Sequence, residues 1–234
     1  FPDVTNTTTN LSGDWSSGSS KSVDMLHNTT LYWESVSYGK INITTSKFQD
    51  NYYPELPSTS KYYGQDFDTN SNGVIDIDPY VSWCGYVTCE YTDSTNTLIM
   101  DTFKLHDDSA DFSNYDHFII VYAGNSQQMS ENTDDIRSAA YSYKDPLKGT
   151  KYKTNDGIID TSKQGIIVIA ENERIGELSW FIGSTLGLNG HSSLGVYDWS
   201  VMGSGHMLPE GYNSDGEWTR LYTNPTHPTG AEKV

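Results

Sequence analysis

The chain has 234 residues, and its 31 acidic side chains outnumber its 14 Lys and Arg to give a formal net charge of −17 at pH 7. A surface this acidic repels phosphate backbones and anionic lipid, which argues against nucleic acid or a membrane surface as a partner and suits metal cations. Aromatic residues make up 13% of the chain, too many for a disordered acidic protein, and no apolar run is long enough to span a bilayer, so we expect a folded extracellular domain.

Residues 1–20 contain few apolar side chains and many Ser, Thr and Asn, which is typical of a linker or an extended arm. An alternative is an arm that adds as a strand to a neighbouring subunit, with its apolar side chains seated in pockets. The chain opens at Phe1 without an initiator Met or an apolar leader, which predicts a mature secreted protein whose signal has been removed. We expect residues 21–234 to form a single domain.

Four Asn-x-Ser/Thr sequences cluster near the N-terminus and predict covalent N-linked glycans in a secreted protein. Their acceptors are Asn6, Asn10, Asn28 and Asn42. Such glycans agree with an extracellular or cell-surface location.

The first regular structure is predicted at residues 31–44. Residues 31–36 are rich in aromatic and apolar side chains, and residues 40–44 alternate between apolar and polar side chains. This pattern is typical of two strands, with Gly39 in the turn between them.

Oxygen-bearing side chains then alternate along residues 68–76 in the spacing of an EF-hand calcium loop. Positions one, three, five and nine of such a loop supply oxygen ligands, position seven supplies a carbonyl, and a Gly at position six allows the sharp turn. The predicted ligands are Asp68, Asn70, Asn72, Asp76 and the carbonyl of Val74, with Gly73 at the turn. Pro79 stands where the loop usually has a bidentate Glu, so Asp78, Asp66 or a distant carboxylate must complete the shell. A solvated Asn-Gly turn is the alternative interpretation.

The two cysteines, Cys84 and Cys89, have a spacing that can close a small loop as a disulfide in an oxidising compartment. A redox pair usually has a different spacing, and a metal site of this type needs a second pair of cysteines, which the sequence lacks. We therefore expect a disulfide.

Three later segments predict a layered α/β (α+β) fold. Residues 92–105 carry apolar side chains at helical spacing. Their candidate N-caps are Asp93, Ser94 and Thr95. Residues 117–123 and 166–170 are short continuous apolar runs, which are typical of strands covered on both faces. Strands of this kind interleaved with helices favour sheet and helix layers packed on one another.

Residues 175–188 predict a second amphipathic helix. At about 100° per residue, one apolar stripe contains Ile175, Leu178, Ile182 and Leu186. Trp180 and Ser184 lie together on roughly the opposite face, and a loop containing Met202 follows at residues 197–205. Periodicity by itself assigns no function to this segment.

The run at residues 176–188 resembles the active-site helix of the immune-inhibitor-A-type secreted zinc metallopeptidases. Shorter matches occur in the same order at residues 37–40, 62–64, 111–117, 121–124 and 197–202. The resemblance covers about residues 24–234, and family chains continue past the equivalent of residue 234, so we expect a trimmed domain or a fragment of a longer chain. It implies a zincin/metzincin-like fold with a twisted mixed sheet, a backing helix, an active-site helix and a Met-turn under the metal.

Members of that family carry His-Glu-x-x-His on this helix and a third zinc ligand shortly after it. The matching positions hold Trp180, Phe181, Ser184 and, near the third ligand, Gly190. Catalytic zinc needs three protein ligands and a carboxylate that takes the proton of bound water, and these four residues supply neither. The resemblance therefore implies a degenerate member that binds no zinc and cleaves no peptide.

Two alternatives for catalysis depend on nearby side chains. His191 and His206 are candidates for a remodelled metal site, although surface histidines in loops are the simpler interpretation. Ser179 or Ser184 with one of these histidines and Asp198 has the residue types of a hydrolase triad. No nucleophile elbow precedes either serine, which argues against the triad.

Three glutamates stand near the start of the same helix, at Glu171, Glu173 and Glu177. Negative charge is favourable beside the unpaired N–H groups of a helix N-terminus. We interpret the glutamates in this way rather than as a catalytic acid and base.

The leading hypothesis is a secreted or cell-surface pseudopeptidase, glycosylated and stabilised by calcium, with a structural or protein-binding role. A second hypothesis makes the same fold a subunit of an extracellular filament, sheath or surface layer that assembles through residues 1–20. A third is an active secreted zinc metallopeptidase, which would require residues 180, 181 and 184 to differ from those in the sequence.

Overall fold

A computed structural model describes the chain in nine stretches. These are residues 21–45, 55–65, 97–130, 132, 134–141, 151–161, 163–171, 173–188 and 202. Within these stretches the fold combines helices with a small mixed sheet and is therefore broadly α+β. No helix in the described stretches has both the length and the apolar character needed to cross a bilayer.

The described elements are five α-helices, one 3-10 helix and five strands. The helices are α1 (Lys21–Val36), α2 (Ser60–Tyr63), α3 (Leu98–His106), a 3-10 helix (Phe112–Asn114), α4 (Gln127–Ser130) and α5 (Ile175–Thr185). The strands are β1 (His117–Tyr122), β2 (Ala139–Tyr141), β3 (Lys151–Thr154), β4 (Gly157–Asp160) and β5 (Gly165–Ala170).

Strand β5 is the centre of a three-stranded sheet. It pairs in parallel with β1, with Tyr122 opposite Ala170, and antiparallel with β2, with Ala139 opposite Val168. All six residues of β5 are buried, as the continuous apolar run predicted for a strand covered on both faces. Strands β3 and β4 form a separate antiparallel hairpin.

Each face of the sheet packs against its own helical layer. On one face, Ile120 of β1 and Val168 of β5 join an apolar cluster that includes Phe103 of α3 and residues of the β3–β4 hairpin. On the other, Ile167 and Ile169 of β5 join a cluster formed with α1 and α5. The chain is therefore layered, with α1 and α5 on one side of the sheet and α3 with the hairpin on the other.

The strand predicted at residues 31–36 is wrong, because these residues form the last turns of α1. Trp33 and Val36 are both buried and Leu31 is exposed, so burial follows a helical spacing rather than alternation. Met25 and Leu26, earlier on the helix, continue the same buried stripe. The helical spacing of the apolar residues becomes visible only when the sequence is read from several residues before Leu31.

The strand predicted at residues 40–44 is not assigned as a strand in the structure. Its alternation is nevertheless real, because Ile41 and Ile43 are half-buried against the cluster of α1 and α5, and Asn42 is exposed. Gly39 lies in the turn that ends α1. The alternating pattern therefore predicted the packed face correctly and the strand pairing wrongly.

Helix α3 confirms the prediction of a helix within residues 92–105, but the predicted cap is wrong. Thr97 is the N-cap, and its Oγ1 accepts a hydrogen bond of 3.2 Å from the Met100 amide. Several residues before it can cap a helix, so residue type alone does not choose among them. The apolar residues Leu98 and Phe103 are buried as predicted.

A buried hydrogen bond ties α2 to α3. The hydroxyl of Tyr63 donates to Oδ2 of Asp101 at 2.6 Å, and both residues are buried. Burial and this bond to Asp101 raise the pKa of Tyr63 above its ordinary value. The bond satisfies a carboxylate that would be costly to bury alone.

Candidate functional site

Helix α5 ends close to its predicted boundary. Its last residue is Thr185, and Gly187 follows with a positive φ of 89°, a conformation that glycine adopts without strain. The Leu188 amide donates to the Gly183 carbonyl at 2.9 Å and the Gly187 amide to the Ser184 carbonyl at 3.1 Å, which is the Schellman pattern of a helix C-terminus. The predicted apolar stripe is buried at Leu178 but exposed at Leu186, beyond the helix.

The three positions that resemble a zinc site occupy two environments on α5. Phe181 is 3% exposed and belongs to the apolar cluster formed by α1, α5 and the sheet. Trp180 and Ser184 are half-buried, and the Trp180 ring lies 5.3 Å from that of Phe181 between centroids. The general-base position is therefore part of the core, whereas the two positions that hold histidines in the resembled family are partly open to solvent.

Met202, the described residue of the predicted Met-containing turn, packs against the same helix. It is 1% exposed, and a methyl group added at Gly183 would collide with its sulfur. The same methyl group would lie 3.0 Å from a ring carbon of Trp33 on α1. Glycine at 183 therefore lets Met202 and Trp33 approach the backbone of α5 directly, one residue before Ser184.

The side chains at these positions do not fit a catalytic zinc ion. The indole of Trp180 offers only an N–H donor, Phe181 offers no polar atom, and Ser184 supplies a single hydroxyl. A catalytic zinc needs three protein ligands around an open position. Within the described stretches, no group of three or more His, Cys, Asp or Glu side chains is placed to hold a metal ion.

No model of a known protein family and no curated protein matches the chain. The likeness therefore depends on the residues of α5, on the shorter motifs and on their order.

Several predicted sites lie outside the described stretches. They are the calcium ligands at residues 68, 70, 72, 74, 76 and 78, Cys84 and Cys89, the acceptors Asn6 and Asn10, Gly190, His191, Asp198 and His206. The other two glycan acceptors are described and exposed, with Asn28 on α1 and Asn42 after it. The hydroxyl of Thr30, in the same acceptor sequence as Asn28, donates to the His27 carbonyl at 2.7 Å.

Ser179 is buried inside α5, and its hydroxyl donates to the Ile175 carbonyl at 2.8 Å. A nucleophilic serine must reach a substrate and a base. The position of Ser179 in the core therefore argues against the hydrolase triad that its residue type allows.

The glutamates at the start of α5 are a feature that the sequence interpretation missed in part. Glu173 and Glu177 are each 8% exposed, so they are buried groups and not solvated charges at a helix end. The hydroxyl of Ser138 donates to Glu173 Oε2 at 2.9 Å. Burial, and then the negative charge of Glu173, raise the pKa of Glu177 to about 7, while Arg174 and Arg137 oppose the shift.

Proposed function

We propose that this protein is a proteolytically inactive relative of the zincin-type metallopeptidases, kept for a structural or protein-binding role. The observation that carries the proposal is the helix α5, with Trp180, Phe181 and Ser184 at the positions where the resembled family has its two histidines and its glutamate. These side chains cannot bind and activate a zinc-bound water.

The architecture supports the zincin-like part of the proposal. A mixed sheet is followed directly by α5, α1 packs beside α5 on the same face of the sheet, and Met202 lies against α5. The resemblance implies a sheet, a backing helix, an active-site helix and a Met-turn in these relative positions. The positions of the sheet, α1, α5 and Met202 thus agree with the arrangement that the resemblance implies.

The burial of Phe181 supports the proposed loss of catalysis. Removing such an aromatic side chain from water stabilises a fold by roughly 2–3 kcal/mol. A glutamate at this position would place a carboxylate in an apolar cluster, which is unfavourable without a partner. Phenylalanine at position 181 therefore favours packing, and a glutamate at this position would destabilise the fold.

The half-buried face of Trp180 and Ser184 is the part of α5 on which a partner would act. Aromatic side chains with one polar handle are common at protein interfaces. The setting we propose is the cell surface or the extracellular space, with glycans at the exposed Asn28 and Asn42 and with calcium held at residues 68–78. A protein partner agrees with the acidic surface better than nucleic acid or anionic lipid does.

Zinc content and proteolysis test the proposal together. Purified protein incubated with zinc and dialysed is expected to retain no stoichiometric zinc by elemental analysis and to leave casein intact with or without chelator. The variant W180H/S184H is the matched control, because two histidines four residues apart on a helix form part of a zinc site, and we expect it to bind more zinc than the wild type at equilibrium without cleaving casein. One zinc per wild-type chain with chelator-sensitive cleavage would contradict the proposal.

Peptide mass spectrometry across residues 175–194 checks the premise of the experiment. It is expected to return Trp180, Phe181 and Ser184. Histidine or glutamate at these positions would instead favour an active metallopeptidase.

A further inference from the structure

The acceptor sequences of Asn28 and Asn42 lie in different local structures. Asn28 is in the middle of α1, whereas Asn42 lies in a segment after α1 that is neither helix nor strand. Both asparagines are exposed. Exposure of the asparagine is not sufficient for an N-linked glycan, because the hydroxyl of the Ser or Thr two residues later is part of the recognised sequence.

Helical geometry separates the two side chains of the first acceptor sequence. Side chains two residues apart on an α-helix point in directions roughly 200° apart. Asn28 is exposed, while Thr30 is 8% exposed and its hydroxyl donates to the His27 carbonyl at 2.7 Å. Thr29, between them, is buried, and its hydroxyl donates to the Met25 carbonyl at 2.7 Å. One enzyme site therefore cannot contact Asn28 and the Thr30 hydroxyl together while α1 is intact.

The second acceptor sequence has the opposite geometry. Its side chains alternate between half-buried and exposed, as in an extended segment, where residues two apart point the same way. Ile41 and Ile43 are half-buried against the cluster of α1 and α5. Asn42 and Thr44 are both exposed. The Ile41 amide donates to the Ser37 hydroxyl at 2.9 Å, which holds the start of the segment. The folded chain therefore presents both recognised side chains on one side.

We propose that, of these two sites, the folded domain accepts a glycan at Asn42 alone, and that Asn28 accepts one only before α1 has formed. This order of events depends on the extracellular setting proposed above. In the transfer, Nδ2 of the asparagine forms a bond to the anomeric carbon of an oligosaccharide, and the bond from that carbon to a lipid diphosphate breaks. The diphosphate leaves with the electron pair of that bond, and the amide loses one proton.

Formation of α1 and transfer to Asn28 therefore compete. Helix α1 has 16 residues and no alanine, and isolated helices of about this length are only marginally stable in water. It packs against α5, which is synthesised much later. The nascent chain thus offers Asn28 to the transferring enzyme until α5 is in place, whereas Asn42 stays accessible afterwards.

Glycan transfer to the purified folded chain tests the proposal. The chain carries N6Q/N10Q, which leaves Asn28 and Asn42 as its acceptors, and is expressed in a host that lacks the transferase. It is incubated with a purified oligosaccharyltransferase and a lipid-linked oligosaccharide, and glycopeptide mass spectrometry measures the occupancy of each site. We expect transfer to Asn42 and little to Asn28, because transfer to Asn28 requires local opening of α1.

Synthetic peptides of residues 24–34 and 38–48 are the matched controls. Each contains one acceptor sequence and is too short to form a stable helix, so we expect both to accept the glycan. The ratio of transfer at Asn28 to transfer at Asn42 is expected to be at least about 10-fold lower in the folded chain than between the peptides. Similar ratios, rejection of the 24–34 peptide, or no transfer to Asn42 in the folded chain would overturn the proposal.

The variant E34P gives a second test. Proline at this exposed position of α1 removes a helical hydrogen bond and clashes with the carbonyl of Thr30, so transfer to Asn28 is expected to rise at least about 10-fold whether or not the variant folds. E34A keeps the helix and is expected to follow the wild type. Unchanged transfer to Asn28 in E34P would overturn the proposal. Zinc retention by the wild type would refute the proposed function without changing these ratios.

Discussion

The contact between Met202 and α5 predicts a strong coupling between two substitutions, G183A and M202A. A methyl group at 183 collides with the Met202 sulfur and approaches Trp33 to 3.0 Å. Overpacking of this kind costs about 1–3 kcal/mol, while the better helix propensity of alanine returns about 1 kcal/mol. We expect G183A alone to lower the free energy of unfolding by about 1 kcal/mol.

In the presence of M202A, the substitution G183A is expected to raise the free energy of unfolding instead of lowering it. M202A alone leaves a cavity in the core and is expected to cost about 2–5 kcal/mol. In the M202A background the methyl group at 183 no longer collides with sulfur and approaches only the Trp33 ring, at 3.0 Å, so G183A keeps most of its gain in helix propensity. The double variant is therefore expected to be more stable than the sum of the single changes by about 1–2 kcal/mol.

Urea unfolding followed by tryptophan fluorescence and circular dichroism measures the four free energies of this cycle. The control pairs M202A with I158A, because Ile158 is 61% exposed on β4 and lies in a different layer. That pair is expected to be additive within about 0.5 kcal/mol. Additivity of the same quality for G183A and M202A would refute the packing of Met202 against α5.

Three further predictions concern other parts of the molecule. Calcium is expected to raise the melting temperature of the wild type, and the variant D68N/D76N is expected to lack that rise. Scanning calorimetry with and without chelator measures both. A rise retained by the variant would exclude this loop as the binding site. F181A is expected to lower the free energy of unfolding by about 3–5 kcal/mol, because Phe181 is buried in the core. S184A is expected to lower it by less than about 1 kcal/mol, because Ser184 is half-buried. Equal losses in urea titrations would contradict the assigned environments. Y63F removes the hydrogen bond to the buried Asp101 and is expected to lower the free energy of unfolding by about 1.5–3 kcal/mol. Y38F, at an exposed tyrosine, is expected to lower it by less than about 0.5 kcal/mol. Similar values for the two variants would contradict the role of the Tyr63 hydroxyl.

The pattern of apolar residues along the chain predicted those elements whose burial is evident from their own composition. The runs at β1 and β5 are continuously apolar, and a strand covered on both faces requires that composition. Helix α1 was missed because residues 31–36 carry strand-forming aromatic residues, and its helical stripe begins earlier, at Met25. The β3–β4 hairpin was not predicted, although the two turn-forming residues Asn155 and Asp156 connect the strands and Gly157 begins β4.

The environment of the candidate site was harder to predict because it depends on distant residues. The spacing of α5 predicts that Trp180 and Ser184 share a face, but only packing against α1 and the sheet buries Phe181. The pKa of Glu177 is raised by burial and then by the charge of Glu173, and Glu173 accepts a hydrogen bond from Ser138, 35 residues away along the chain. Helix periodicity carries no information about such partners, so the sequence alone supports only the interpretation of these glutamates as favourable charges at a helix N-terminus.

The order of strands across the sheet has a consequence for the synthesis of the chain. Among the described strands, β1 and β2 each pair with β5 and not with each other, and β5 is the last of the three to leave the ribosome. Among the described strands, β1 and β2 therefore lack their sheet partner until residue 170 has been made. A nascent chain in this state exposes the apolar side chains of β1 and is a natural substrate for chaperones. Synthesis of β5 gives both strands their partner in one step, so a pause in translation before residue 165 prolongs the time that β1 and β2 spend without it.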